Sequence, residues 1–288
     1  MKHLKKKILV LGSTGMLGHQ VVKYFLNFPE YEIHDISYMQ KLRVNTIILN
    51  VMDQSLIYRT INDLKPDFII NCIGDLVKSK PNYERAIYLN SFFPHMLKKI
   101  SKEVGFKLLH ISTDCVFSGK KGGYSELDYR DGEGLYAETK KLGEIIDDSN
   151  ITIRTSFIGP ELKSSGVGLF QWFISQEGDV QGYTQSIWSG VTTIEIAKAI
   201  KWAIESEITG LYHITNGYPI NKHDLLKLFR KYTNNNIKIT PVTGKSEDKS
   251  FIDSRKIINY KIPSYEQMVI EMILDIKSNN KKYNYKYL

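Results

Sequence analysis

Tyr136-Ala137-Glu138-Thr139-Lys140 places a phenol and an amine four residues apart. On a helix that spacing brings both side chains to one face. The lysine charge lowers the tyrosine pKa, so the phenol can pass a proton to or from a carbonyl oxygen. Alone, the pair equally suits a solvent-facing helix. Upstream, Ser112-Thr113 ends a strand-like run and would bring a hydroxyl to the same oxygen. Two residues later stands Cys115, whose thiol, with an ordinary pKa of about 8.5, exchanges protons on carbon beside a ketone if its surroundings lower that value. A small buried hydrophobe is the other reading of Cys115, and the two weigh evenly. Seven histidines show no metal-binding spacing, and no nucleophile elbow is present, so neither metal catalysis nor serine hydrolysis is expected.

Gly12-Ser13-Thr14-Gly15-Met16-Leu17-Gly18 follows an apolar run, Lys7 to Leu11, and precedes apolar positions at helical spacing over residues 16–27. A glycine loop between a first strand and a first helix lets backbone approach a pyrophosphate at the helix N-terminus. The spacing is G-x-x-G-x-x-G, and its place in the chain makes a dinucleotide site the preferred reading. Asp35 would bind the ribose hydroxyl of NAD if it ended the second strand. Ser37 at the strand tip, with Lys41 and Arg43 beyond, suits the 2′-phosphate of NADPH, which is the expected cofactor, NADH being the alternative.

These groups need a scaffold. Strands are expected near Glu32–Ser37, Thr46–Val51, Asp67–Ile73, Phe106–Ser112 and Ile151–Thr155, with helices over residues 83–103 and 136–147 and a polar loop over 118–134. Pro66 stops the helix before the fourth strand. Alternating strands and helices imply parallel pairing, hence an α/β, doubly wound Rossmann sheet. The alternation fades after residue 157. The expected organisation is a dinucleotide-binding domain over residues 1–157 and a smaller substrate-binding lobe over 158–288, with some segments returning to the first domain.

The 288 residues carry a net charge of +8, which suits attraction of anionic ligands or a plain lysine-rich surface. A nucleic-acid partner is not expected, since the sole basic stretch with aromatics is the tail from Lys281 to Tyr287, read as a frayed end. The basic N-terminus precedes only a short apolar run, so neither a signal peptide nor a membrane span is expected. Two cysteines without metal or disulfide spacing fit a reducing cytoplasm. A homodimer is the default assembly.

Ile111-Ser112-Thr113-Asp114-Cys115-Val116-Phe117-Ser118-Gly119 resembles the S-T-D-Y-V-F-x-G signature of dTDP-4-dehydrorhamnose reductases, extended short-chain dehydrogenase/reductases. Pro66 to Cys72, Asn90, Tyr136 through Glu144, and Arg154 to Glu161 agree with the same family. The resemblance covers most of residues 7–275. It implies that Thr113, Tyr136 and Lys140 are catalytic, and that hydride passes from NADPH to C4 of a 4-keto-6-deoxy sugar nucleotide. The expected cofactor set is Gly12, Thr14, Gly15, Met16, Leu17, Gly18, Ser37, Arg43, Asp53, Cys72, Ile73, Gly74, Asn90, Tyr136 and Lys140. Cys115 departs from the signature's tyrosine. It matches a cysteine that epimerises the keto sugar in GDP-fucose and UDP-rhamnose synthases, so epimerisation at C3 or C5 is implied. Lys163 is the positional candidate for the second acid/base on the other ring face.

Ser112, Thr113, Trp188, Ser189, Gly190 and Arg255 are expected at the substrate. A surface ion pair reads equally well for Arg255. For Trp188 to Gly190 the alternative is a turn before a helix capped by Thr192 or Thr193. Bacterial surface-sugar reductases carrying the same S-T-D-C-V-F-S-G run favour UDP-linked over dTDP-linked substrates, N-acetylated amino sugars included. The rival reading is a non-catalytic NADP-binding subunit similar to the regulatory subunit of methionine adenosyltransferase. An intact Thr113, Tyr136 and Lys140 argues against it.

Overall fold

In the strand Lys6–Leu11 (β1), Ile8 and Val10 point to one side and Leu9 and Leu11 to the other, and all four are fully buried. A strand apolar on both faces belongs inside a sheet covered by helices on each side. The computed structural model describes residues 4–76, 80–164, 166–252, 254, 260–280, 282, 283, 285 and 288. Within them β1 pairs in parallel with Tyr31–Ser37 (β2) and Phe68–Asn71 (β4). Ile47–Ile48 (β3), Lys107–Thr113 (β5) and Ile151–Thr155 (β6) extend the sheet. The strand Gly210–His213 joins beside β6, giving the order Gly210–His213, β6, β5, β4, β1, β2, β3 among the described residues. Neighbours of β1 depart in opposite chain directions, so a crevice opens at its carboxyl end, where ligands bind such sheets.

Met16–Phe25 (α1) and Thr193–Glu205 (α7) cover one face through Val21, Phe25, Ile196 and Ile200. Gln54–Leu64 (α2) and Phe93–Val104 (α4) cover the other through Ile57, Ile61 and Leu97. Each such side chain contributes roughly 1.5–3 kcal/mol by leaving water. The helix expected over residues 83–103 is Tyr83–Ile87 (α3), a π-helical turn Tyr88–Phe92, and α4.

The helix expected over 136–147 is Leu135–Leu142 (α5) and stops early. Beyond it Glu144 turns inward to two arginines, which a continuing helix would prevent. Residues 151–155 form a strand as expected.

The lobe is built on Leu169–Ile174 (α6), Lys222–Tyr232 (α8) and Tyr265–Ser278 (α9), whose Phe170, Phe173, Phe229, Met272 and Ile276 share a core. α7 and the strand Gly210–His213 return from residues beyond 157 to the main sheet. Two tail tyrosines are docked, which corrects the frayed-end expectation. Tyr283 is buried, with its hydroxyl 3.0 Å from His19 Nε2 and accepting from Gln20 Nε2 at 2.8 Å. The Tyr285 hydroxyl accepts the Glu161 N–H at 2.8 Å while its ring meets Phe170 edge-on. Apolar ring area outweighs the tail's charge, and each buried phenol finds a partner.

Candidate active site

The crevice is one groove in two parts. The first, about 310 Å³, is lined by Gly12, Thr14, Gly15, Ser37, Tyr38 and Asn50 among others. The second, about 610 Å³, is lined by Met16, Leu17, Ser112, Thr113, Cys115, Tyr136 and Lys140 together with the loop around Lys163. Thr14, Gly15, Cys72, Ile73, Gly74 and Lys163 line both. Gly12 holds a φ of +82°, and a Cβ at Gly18 would stand 2.2 Å from the Gly12 carbonyl oxygen. Glycine therefore lets α1 start directly against the turn. No side chain caps α1 at its N-terminus, and its free N–H groups and dipole suit a pyrophosphate. The groove fits a dinucleotide: close backbone at its middle, Ser37 and Tyr38 at one end, Tyr136 and Lys140 at the other.

At that second end Thr113 closes β5, Cys115 sits in the short turn Asp114–Val116, and α5 brings Tyr136 and Lys140. The Thr113 hydroxyl, which lines the cavity with the Tyr136 phenol, donates to Asp114 Oδ1 at 3.2 Å and accepts the Cys115 N–H at 3.2 Å. Burial, with Cys115 and Asp114 adding to it, pushes the phenol well above its usual range, which corrects the lowering expected from Lys140, whose ammonium turns to the Ile111 carbonyl. The phenol therefore holds its proton at neutral pH, the form a proton donor needs. The buried Lys140 ammonium donates to the Ile111 carbonyl at 2.8 Å. Burial lowers its pKa to about 8, with Glu144 opposing.

Cys115 is half-buried on the cavity wall. Burial first and the Asp114 charge second push its thiol up to about 11, the reverse of the lowering that proton exchange was expected to need, while Lys249, with Nζ 3.8 Å from Sγ, pulls the other way. Asp114 is itself buried and raised by burial.

Behind this wall lies a buried ionic network. Ser112 Oγ donates to Glu144 Oε1 at 2.6 Å, and Arg154 grips Glu144 through Nε at 2.8 Å and Nη2 at 2.7 Å. Arg130 adds a contact at 2.8 Å, and Arg154 Nη1 lies 2.8 Å from His213 Nε2. Bidentate pairing of this kind fixes geometry. Here it joins the ends of β5, β6 and the strand Gly210–His213.

Most residues expected from sequence meet at the groove. Gly12, Thr14, Gly15, Met16, Leu17, Ser37, Cys72, Ile73, Gly74, Ser112, Thr113, Cys115, Tyr136, Lys140 and Lys163 line it. Others are placed differently. Arg43 Nε donates to the fully buried Asp35 at 2.5 Å, which commits both groups to each other rather than to a ribose or its phosphate. Asp53 caps α2, accepting from the Leu56 N–H at 3.0 Å. Asn90 ties the loop after β4 to α5: its amide donates to Asp75 O at 2.9 Å and Thr139 Oγ1 at 3.1 Å.

Trp188 packs against Tyr265, Ser189 accepts the Phe251 N–H at 2.8 Å, and Gly190 lies against the Trp188 ring. These three hold the lobe to the sheet, and Thr192 caps the following helix as the alternative reading had it. Arg255 lies outside the described residues. Sequence reasoning missed Lys249, whose partner is 134 residues away, and Asp114, which lay inside the quoted signature. Among the described residues no cluster of ligands could hold a metal ion.

A family model described as the RmlD substrate binding domain matches residues 6–255. The chain belongs to this family. Similar to it is the Bacillus subtilis spore coat polysaccharide biosynthesis protein SpsK, 27% identical over 218 residues that make up 73% of each chain. The methionine adenosyltransferase 2 subunit beta of Xenopus laevis is 33% identical over 143 residues, 48% of this chain and 42% of that one. Among solved structures, a dTDP-4-dehydrorhamnose reductase from Bacillus anthracis in complex with NADP superposes with a TM-score of 0.81 at 22% identity, covering 94% of this chain and 99% of the other. The ADP-L-glycero-D-manno-heptose-6-epimerase of Helicobacter pylori gives 0.81 at 14% identity, covering 96% and 98%. At those identities the structural likenesses establish the α/β fold. No helix of the described residues is long and apolar enough to cross a membrane.

Proposed function

We propose that the protein is an NADPH-dependent reductase of the C4 ketone of a 4-keto-6-deoxy sugar nucleotide, with epimerisation at C3 or C5 by Cys115. The observation that carries the reading is the Tyr136 phenol, kept protonated by burial and lining one cavity with Thr113, Lys140 and the glycine loop. Family membership and the likeness to a spore coat polysaccharide biosynthesis protein support it. Gly12 to Gly18 and Ser37 would hold the dinucleotide, NADPH rather than NADH; bound there, it supplies a hydride.

Tyr136 gives its proton to the ketone oxygen as the charge on that oxygen grows, and Thr113 orients the phenol toward it. Lys140 holds a positive charge behind the phenol and stabilises it as the proton leaves. Before reduction, Cys115 takes a proton from the carbon next to the ketone, and Lys163, which lines the same cavity, returns one from the other ring face. UDP-linked sugars, N-acetylated amino sugars included, are preferred over dTDP-linked ones. Small-molecule ligands of this class leave no role for nucleic acid or membrane. A cytoplasmic homodimer is the working assembly.

Supplied with NADPH and a 4-keto sugar nucleotide, the protein should consume the reduced nicotinamide and yield the C4 alcohol. Tyr136→Phe should lower turnover by about a thousandfold while still binding cofactor. Undiminished turnover in that variant overturns the assignment. The second reading, a non-catalytic NADP-binding subunit, is favoured by the 33% identity to a methionine adenosyltransferase subunit. It predicts cofactor binding in calorimetry with no keto sugar reduced.

A further inference from the structure

Lys249 reaches Cys115 across 134 residues of chain, carried by a strap that crosses from the lobe to the catalytic turn. The strap is held along its length. Glu247–Asp248 pairs with Ser186–Trp188, and the Asp248 N–H donates to the Gly119 carbonyl at 2.8 Å. Tyr124 donates to Ser250 O at 2.8 Å and accepts from the Ile252 N–H at 2.9 Å. Phe251 is buried against Phe117 and His213. Three elements therefore turn titratable groups toward the thiol: Asp114 from its own turn, Tyr136 from α5 and Lys249 from the strap. Among the described residues, Lys249 is the cation of the set.

We propose that Lys249 is a positioning residue whose ammonium sets the pH at which Cys115 becomes a thiolate. This rests on the epimerising role proposed above for Cys115. In that step the thiol proton leaves to water while the ammonium stays. The thiolate then takes the proton on the carbon beside the ketone: the C–H bond breaks, an S–H bond forms, and the electron pair moves to the ketone oxygen as an enolate. Lys163 then gives a proton to the carbon from the other ring face, the enolate pair forming the new C–H bond as the ketone returns. The Cys115 proton passes to water, Lys163 regains one from water, and no electrons are gained or lost. Beside Asp114, inside a partly buried cavity, a thiolate lacking Lys249 would lose the cation that lies 3.8 Å from its sulfur. Lys249 itself stays protonated: burial would lower it, but Cys115, Asp114 and Glu247 together raise it.

The test reads the thiol directly. Iodoacetamide alkylation rates at a fixed pH of about 9, with peptides resolved by mass spectrometry, separate Cys115 from Cys72. Lys249→Met should slow alkylation of Cys115 by about 10- to 1000-fold, the range for losing a close opposite charge. Lys249→Arg should keep the rate within about threefold of the original, because the charge is retained. An unchanged rate in Lys249→Met, or a loss that Lys249→Arg fails to rescue, overturns the proposal. Should Lys249→Met fail to fold, Lys249→Gln makes the same comparison with a polar side chain. Neither cofactor nor sugar nucleotide enters the measurement, so its failure and failure of the reductase reading are told apart.

Discussion

The carboxyl ends of β4 and β5 stand side by side in the sheet, and each is followed by a free cysteine on the wall of the same groove. At β4 the chain passes through Cys72, whose N–H donates to Leu11 O at 3.1 Å and whose thiol burial alone pushes up to about 12. At β5 the chain makes a tight turn instead, and Cys115 meets Asp114, Tyr136 and Lys249. The strand ends also rest on different foundations. Asn71 Nδ2, under β4, lies 3.2 Å from His110 Nδ1, whereas Ser112, under β5, is anchored in the Glu144–Arg154 pair. One residue type thus has two fates in one sheet, decided by the charges that distant elements deliver.

The largest expected effect is on stability beneath β5. Arg154→Met removes the buried, bidentate partner of Glu144 and leaves only the more exposed Arg130 as its cation, which should cost about 3 kcal/mol in denaturant unfolding. Asn71→Ala, its counterpart under β4, should cost about 1–3 kcal/mol. Equal losses would break the comparison. Next comes the thiol chemistry. Cys115→Ser should cut solvent deuterium wash-in at the carbon beside the ketone about a hundredfold, while Cys72→Ser changes it less than about threefold. Matching losses would mean the charges around Cys115 count for nothing, and unchanged exchange in Cys115→Ser would remove the epimerase claim.

The smallest effect sharpens the picture on the α5 side. Lys140 is an ammonium below about 8 and an amine above it. kcat/KM for the nicotinamide cofactor should therefore fall as pH rises through about 8, approaching tenfold per unit. Stability should move the other way. Because the folded-state pKa is lowered from 10.5 to about 8, the unfolded chain binds more protons between those values. Unfolding free energy should then rise with pH across that window. A flat kcat/KM profile through it would count against Lys140 as the working cation.

Local patterns in the sequence were enough for the six sheet strands up to Thr155, the glycine loop and the Tyr136–Lys140 face, because strand alternation and helical spacing act within a few residues; the edge strand Gly210–His213 was missed. The places where reading failed depend on partners far along the chain. α5 ends at Leu142 because Glu144 is drawn in by Arg154, and nothing at residues 143–147 announces that. Arg43 resembled a phosphate ligand by its place after β2, but the buried Asp35 claims it. The tail's charges suggested fraying, while Tyr283 docks on His19 at the other end of the chain. Lys249 left no signal of its own, since its neighbours in sequence carry no chemistry and its partner is set by the strap.

The strand Gly210–His213 makes the two halves inseparable in practice. A fragment cut at residue 157 would leave the outer backbone edge of β6 without a hydrogen-bonded neighbour and uncover the apolar side of α1 against which α7 packs. Edges and faces of that sort attract other chains, so prematurely terminated products should clump, and a crossover point for chimeras with related enzymes belongs after residue 213 rather than between the apparent domains.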